Sequence, residues 1–205
     1  FKGKENSSLA TGYKDFLKRF PNTEWTVKPS FSLKDGRKSI KVFINSELNS
    51  GSQTYYLNAI QVLAIAINGN NITSNEIMSE ESILKIGSKD IRIEVMIPEF
   101  VLTGTRYDID LVIKKPLGDS IIAGGLISLT PKQIANNINP EIELAPMGGG
   151  GLFKSVQAPF KPGIQRWAAL IAHPDSLISI TKLVRVVSKD HQINPYIINN
   201  VKTEI

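Results

Sequence analysis

Hydrophobic residues recur at every second position through long stretches of this chain. Ile91, Ile93, Val95 and Ile97 alternate with polar residues or Met96, and Tyr107, Ile109, Leu111 and Ile113 repeat the pattern. A period of two marks a strand with one buried face. The same reading gives strands over 24–33, 38–48, 53–67, 83–97, 106–115 and 120–130, with the run from Gln53 long enough to hold a bend or bulge. Turn residues separate them: Asp35-Gly36, Asn68-Gly69-Asn70-Asn71 and Lys115-Pro116-Leu117-Gly118-Asp119. Asp-Gly between two such runs is a strong hairpin signal. The polar stretch Asn75–Ser82 reads as a turn or short helix. No strand alternates with a long helical pattern, which argues against a parallel α/β sheet.

Two segments depart from period two. Tyr13, Phe16, Leu17 and Phe20 fall on one face of a helix that Ser7 or Ser8 caps and Pro21-Asn22 ends. That face is expected to pack on the sheet, and residues 1–7 to fray. At the other end, Thr130-Pro131 opens one helical turn. Glu141–Leu144 reads as a short strand. Residues 146–163 hold a run of glycines with Pro159 and Pro162, and they read as a long extended arm. Gln165–Ala172 and Leu177–Val187 form a final hairpin around His173-Pro174-Asp175-Ser176. Its second strand carries Lys182 and Arg185 on opposite faces, which suits an edge or a twisted strand.

Leu102-Thr103-Gly104-Thr105-Arg106-Tyr107 resembles the corner before strand F in fibronectin type III and other immunoglobulin-like domains. The resemblance implies a Tyr107 hydroxyl bonded back to upstream backbone. The fold expected is therefore all-β: an immunoglobulin-like β-sandwich over 24–130, a helical segment over 1–23, and a C-terminal extension over 131–205 made of the Gly-rich arm and the hairpin.

Composition adds limits rather than direction. The chain has 205 residues, long enough for one large domain or two small ones. It has no cysteine, which excludes disulfides, thiolate zinc sites and thiol nucleophiles. The net charge of +5 is spread among acidic residues, without the basic block of a nucleic-acid binder. No apolar run reaches transmembrane length. The chain begins at Phe1 rather than Met, which fits a removed signal or transit segment as well as an artificial boundary. The sequons at Asn6 and Asn71 are what an Asn-rich chain produces by chance.

Candidate chemistry is sparse. His173 and Asp175 lie close together, but no serine or cysteine motif accompanies them, and Pro and Asp suit a tight turn. Asp190-His191 is weaker still. Asp108 and Asp110 share one outward strand face, a solvated arrangement more than a cation site. Gly148–Gly151 followed by Lys154-Ser155 misses the phosphate-loop pattern, because Lys154 does not follow a glycine. Neither a cofactor nor a metal is expected.

The block GGGGLFKSVQAPFKPGIQRWAALIAHPDSLISITKLVRVV, with YKDFLKRFPNTEW near the N-terminus, resembles segments of uncharacterised cyanobacterial proteins. That resemblance implies a photosynthetic setting, thylakoid-associated or extracytoplasmic, with peripheral membrane contact; without it the cytoplasm is the default. It brings no activity and no site residues. The expected function is a non-catalytic protein-interaction or assembly module. The arm and its neighbours, Met147, Leu152, Phe153, Lys154, Phe160, Arg166 and Trp167, are the partner-binding candidates, with the arm mobile alone and ordered on a protein partner. A carbohydrate- or small-ligand-binding β domain is the alternative, and an enzyme with an unrecognised carboxylate site the further one.

Overall fold

The computed structural model describes residues 8–69, 71–114, 121–136, 140–148 and 150–197. The polar start over 1–7, the turn over 115–119, Gly149 and the tail beyond 197 lie outside the described residues. Within them the chain is all-β, with twelve strands and two short α-helices.

Helix α1 (Ser8–Arg19) is followed by a meander of β1 (Thr23–Pro29), β2 (Lys38–Ser50), β3 (Gln53–Asn68) and β4 (Asn71–Gly87). Then come β5 (Ile93–Met96), β6 (Phe100–Leu102), β7 (Arg106–Ile113) and β8 (Ala123–Leu129), the single turn α2 (Pro131–Ala135), and β9 (Ala145–Pro146). The C-terminal strands are β10 (Gly151–Gln157), β11 (Gly163–His173) and β12 (Ser176–Val187). The larger sheet runs β1-β2-β3-β4-β12-β11-β8-β9, with β6 joining the end of β12 in parallel. The smaller sheet runs β10-β7-β5.

Alternation now finds its reason. Tyr107, Ile109, Leu111 and Ile113 of β7 face Trp167, Ala169, Ile171, Ile178, Ile180 and Val184 of the larger sheet, and together they form the main core. Ile109, Leu111, Ile171, Ile178 and Val184 are fully buried. Each inward position removes apolar surface from water at about 25 cal/mol per Å².

Beyond the small sheet, β1, β2, β3 and the first half of β4 continue as a wing. Phe16 of α1 and Trp25 pack on one face, over Val42, Ile44, Leu63 and Ile65. The rings of Tyr13 and Phe16 meet Trp25 edge-on. The helix thus packs on the sheet as its aromatic face predicts. On the opposite face Leu33, Phe100 and Tyr196 cover Val62, Ala64 and Met78.

Several expectations need correction. Asn75–Ser82 is neither turn nor helix but part of the 17-residue strand β4. Its polar residues are tolerated because they lie where the sheet has only thin cover. Glu76 binds Arg37 (2.6 Å) and Arg185 (2.8 Å), and Glu81 binds Lys182 (2.9 Å). The run over 83–97 is broken after Gly87, whose φ of 103° and contact with the Asp175 carbonyl admit only glycine. The short strand falls at 145–146, not 141–144. The final hairpin is not an edge. β12 lies between β4 and β11, and β11 between β12 and β8. The chain therefore does not divide at residue 130, because strands from the expected extension stand in the middle of the larger sheet.

A strand inside the sheet can hold the charges of β12 because Lys182 and Arg185 both find partners on β4. β4 carries a bulge in which Met78 is the extra residue between Val62↔Ser79 and Leu63↔Ile77. Pairing of β12 with β4 ends at Lys182↔Glu81. Arg185 fills the gap, its guanidinium donating to the carbonyls of Ile77 and Met78. A bulge leaves backbone groups without ladder partners, and here an arginine supplies the donors.

Candidate interaction site

The glycine-rich arm is a strand of the sandwich, not a free segment. β10 pairs with β7 along its length, from Gly151↔Val112 to Gln157↔Arg106. Ala158 is buried and its amide donates to the Thr105 carbonyl (2.8 Å), while Gly104 donates to the Pro159 carbonyl (3.1 Å). Leu152, Val156 and Met147 pack against the main core. This placement overturns the expectation of an arm without its own support. The sequence shows a run of four glycines with Pro159 and Pro162, but the pairing partner lies some forty residues away, where local pattern does not reach.

The ladder leaves one edge of β10 open. The Ile113 amide donates to the Gly150 carbonyl and the Ala158 amide to the Thr105 carbonyl. Bonded and non-bonded pairs alternate in an antiparallel ladder. Leu152, Lys154 and Val156 therefore use their backbone groups on β7, and Phe153, Ser155 and Gln157 point theirs away. No other described segment takes them up. Phe153 is 60 % exposed and Phe160 79 % exposed. The Phe153 ring lies over Gly151, where a Cβ would stand 2.6 Å from it, and the Phe160 ring lies over Gly104. Lys154 is exposed with its ammonium 6.0 Å from the Trp167 ring centre. It is the one charge on β10, and a lysine on an edge strand discourages indiscriminate pairing.

The partner-binding candidates thus divide. Phe153, Lys154 and Phe160 line the open edge and its end. Met147 and Leu152 serve the core. Trp167 is buried, and Arg166 turns towards Glu80 (3.9 Å) on the larger sheet. Trp167 has its own structural task. Its indole N–H donates to the Tyr107 hydroxyl (2.8 Å), which donates to Gln165 Oε1 (2.7 Å). The chain of bonds stitches the two sheets together, and burial pushes the Tyr107 phenol above its ordinary range. The immunoglobulin-like corner implied a bond to backbone instead. Here the hairpin brings Gln165 and Trp167 opposite β7, and their side chains reach the hydroxyl first. The corner backbone is closed by Thr105, whose hydroxyl donates to the Leu102 carbonyl (2.9 Å).

The other candidate residues stay apart. His173 Nδ1 accepts the Asp175 amide (3.1 Å), a turn contact. Asp108 and Asp110 stand on the outward face of β7 opposite Ser155 and Phe153. Among the described residues no three His, Asp or Glu side chains are grouped to hold a metal, and no helix is long and apolar enough to cross a membrane.

Residues 88–187 match a family described as a domain of unknown function (DUF8623). The match spans β5 to β12, and every buried residue of the main core lies inside it. No curated protein matches the chain.

Proposed function

We propose that this protein is a non-catalytic interaction module that takes up an extended segment of a partner protein on the free edge of β10. The observation that carries the reading is the row of outward backbone groups at Phe153, Ser155 and Gln157, flanked by an exposed Phe153 and Lys154. Strand addition supplies affinity through main-chain bonds and specificity through alternate side chains. A partner strand offering an apolar residue to Phe153 and a carboxylate to Lys154 meets both. The resemblance of the chain's two ends to cyanobacterial proteins suggests an accessory role in a larger photosynthetic, thylakoid-associated assembly.

The test is Ser155→Pro. Its amide faces away from β7, so proline removes a partner bond and spares the ladder. Proteins co-purifying with the tagged wild type are compared with those retained by Ser155→Pro and Phe153→Ala. A partner lost from both variants, with their melting unchanged, supports strand addition. Full retention of every partner by Ser155→Pro overturns it.

A further inference from the structure

A second surface lies at the opposite end of the small sheet. There the larger sheet runs on beyond β5, and the face of β1–β3 that continues the sandwich interior is open around Asn45 and Asn58, while farther along β3 Leu33, Phe100 and Tyr196 cover Val62 and Ala64. Its floor is built in rows by the strand register. Glu24, Asn45 and Asn58 stand side by side across β1, β2 and β3, and Glu47, Tyr56 and Lys85 across β2, β3 and β4. The segment carrying Lys89, Asp90 and Arg92 forms one wall of the resulting cleft.

Three features select an occupant. First, the side chains of Glu24, Asn45, Glu47 and Asn58 make no hydrogen bond to any described residue and are exposed on the floor. Second, the charges balance: Glu24, Glu47 and Asp90 against Lys85, Lys89 and Arg92. An anionic ligand meets the two glutamates, and a cationic one meets the lysines. Third, the floor is polar, so an apolar strand laid on it would bury unpaired charge at high cost. What remains is a neutral ligand dense in groups that both donate and accept. Asn amides, carboxylates and ammonium groups offer both functions to hydroxyls. Tyr56 adds an aromatic surface for C–H contact, under a Lys89 ammonium 5.9 Å from the ring centre on an exposed side chain. The span from β1 to β4 is three strand spacings, roughly 14 Å, room for more than one sugar ring.

We propose that this cleft is a binding site for a neutral glycan, separate from the β10 edge. The test is affinity electrophoresis of the full chain in gels cast with hydroxyethyl cellulose, xyloglucan, glucomannan or soluble starch, with polygalacturonate as the anionic probe. At least one neutral polysaccharide is expected to slow the wild type. Asn45→Ala/Asn58→Ala is expected to weaken that retardation by about tenfold, two lost hydrogen bonds. Both side chains are exposed, so circular dichroism of this variant should match the wild type. Ser155→Pro should bind as the wild type does, which separates this site from the protein-docking edge. No retardation by any neutral polysaccharide, retardation by polygalacturonate alone, or equal retardation of the double variant overturns the proposal.

Discussion

The half of the molecule over 88–187 and the wing before it are both built of β-strands but stabilised differently. In the first, two sheets close on sixteen buried residues in one continuous core. In the wing a single sheet has four buried apolar residues clustered on one face, under a helix, and three on the other, under Leu33, Phe100 and Tyr196. Closure of two sheets leaves little room for polar side chains. A single sheet with thin covers leaves much of its surface to water, and that is where the charges, the amides and the open cleft lie. β4 belongs to both. Its second half pairs with β12 inside the sandwich, and its first half carries Glu76 into the wing. The junction carries ion pairs beside the packing of Phe100 against Val62, Ala64 and Met78. Both proposed surfaces sit where the sandwich stops: one at the open edge of β10, one where the floor outruns the small sheet.

Four measurements sharpen or break this contrast. The largest effect is expected from Ile109→Ala, which leaves a cavity between the sheets. It should cost about 3–4 kcal/mol, against about 2 kcal/mol for Ile44→Ala in the wing, where thinner cover relaxes into the gap. Urea denaturation compares them, and equal losses would mean that the wing is as tightly closed as the sandwich.

Arg185→Leu comes next. It strips Glu76 of one cation and leaves the bulge carbonyls of Ile77 and Met78 without donors, a loss of about 2–3 kcal/mol. Hydrogen exchange should quicken first at the amides of 76–80. Uniform quickening along β12 would instead mean that the arginine supports the strand rather than the junction.

Tyr107→Phe should cost about 1–2 kcal/mol, since it leaves the buried Trp167 N–H without an acceptor. Its signature is a shift in tryptophan fluorescence. An unchanged midpoint and spectrum would remove the stitch from the account.

The smallest effect is one of pH. Burial alone would raise the Glu76 carboxyl, but the adjacent Arg37 and Arg185 outweigh it and hold it below its ordinary value. A depressed folded value contributes stability above the unfolded value, about 4.3 for glutamate, and loses it as pH falls through the folded one. The wild type should therefore lose its advantage over Glu76→Gln below about pH 4. The side chain is 41 % exposed, so the gap should be modest. A constant gap from pH 7 to pH 3 would show that the pair is not coupled to folding.

What the sequence determined by itself is local. Alternation over Tyr107–Ile113 and Ile178–Val186 sets which side chains are buried, because a strand has only two faces. Tyr13, Phe16 and Phe20 set the helix and the face it buries. Thr130 with Gln133 sets the capped turn of α2. The all-β class follows from these. What only the tertiary structure decided is which strands are neighbours. Lys182 and Arg185 read as edge residues until Glu81 and Glu76, a hundred residues earlier, stand beside them. Asn75–Ser82 reads as a turn until β3 and β12 flank it. The glycine-rich arm reads as loose until β7 supplies its ladder. Strand pairing is non-local, and its partners are chosen by how the whole sheet buries its faces. For the same reason the open edge at Ser155, and the row of Glu24, Asn45 and Asn58 that three separate strands assemble, are invisible along the chain.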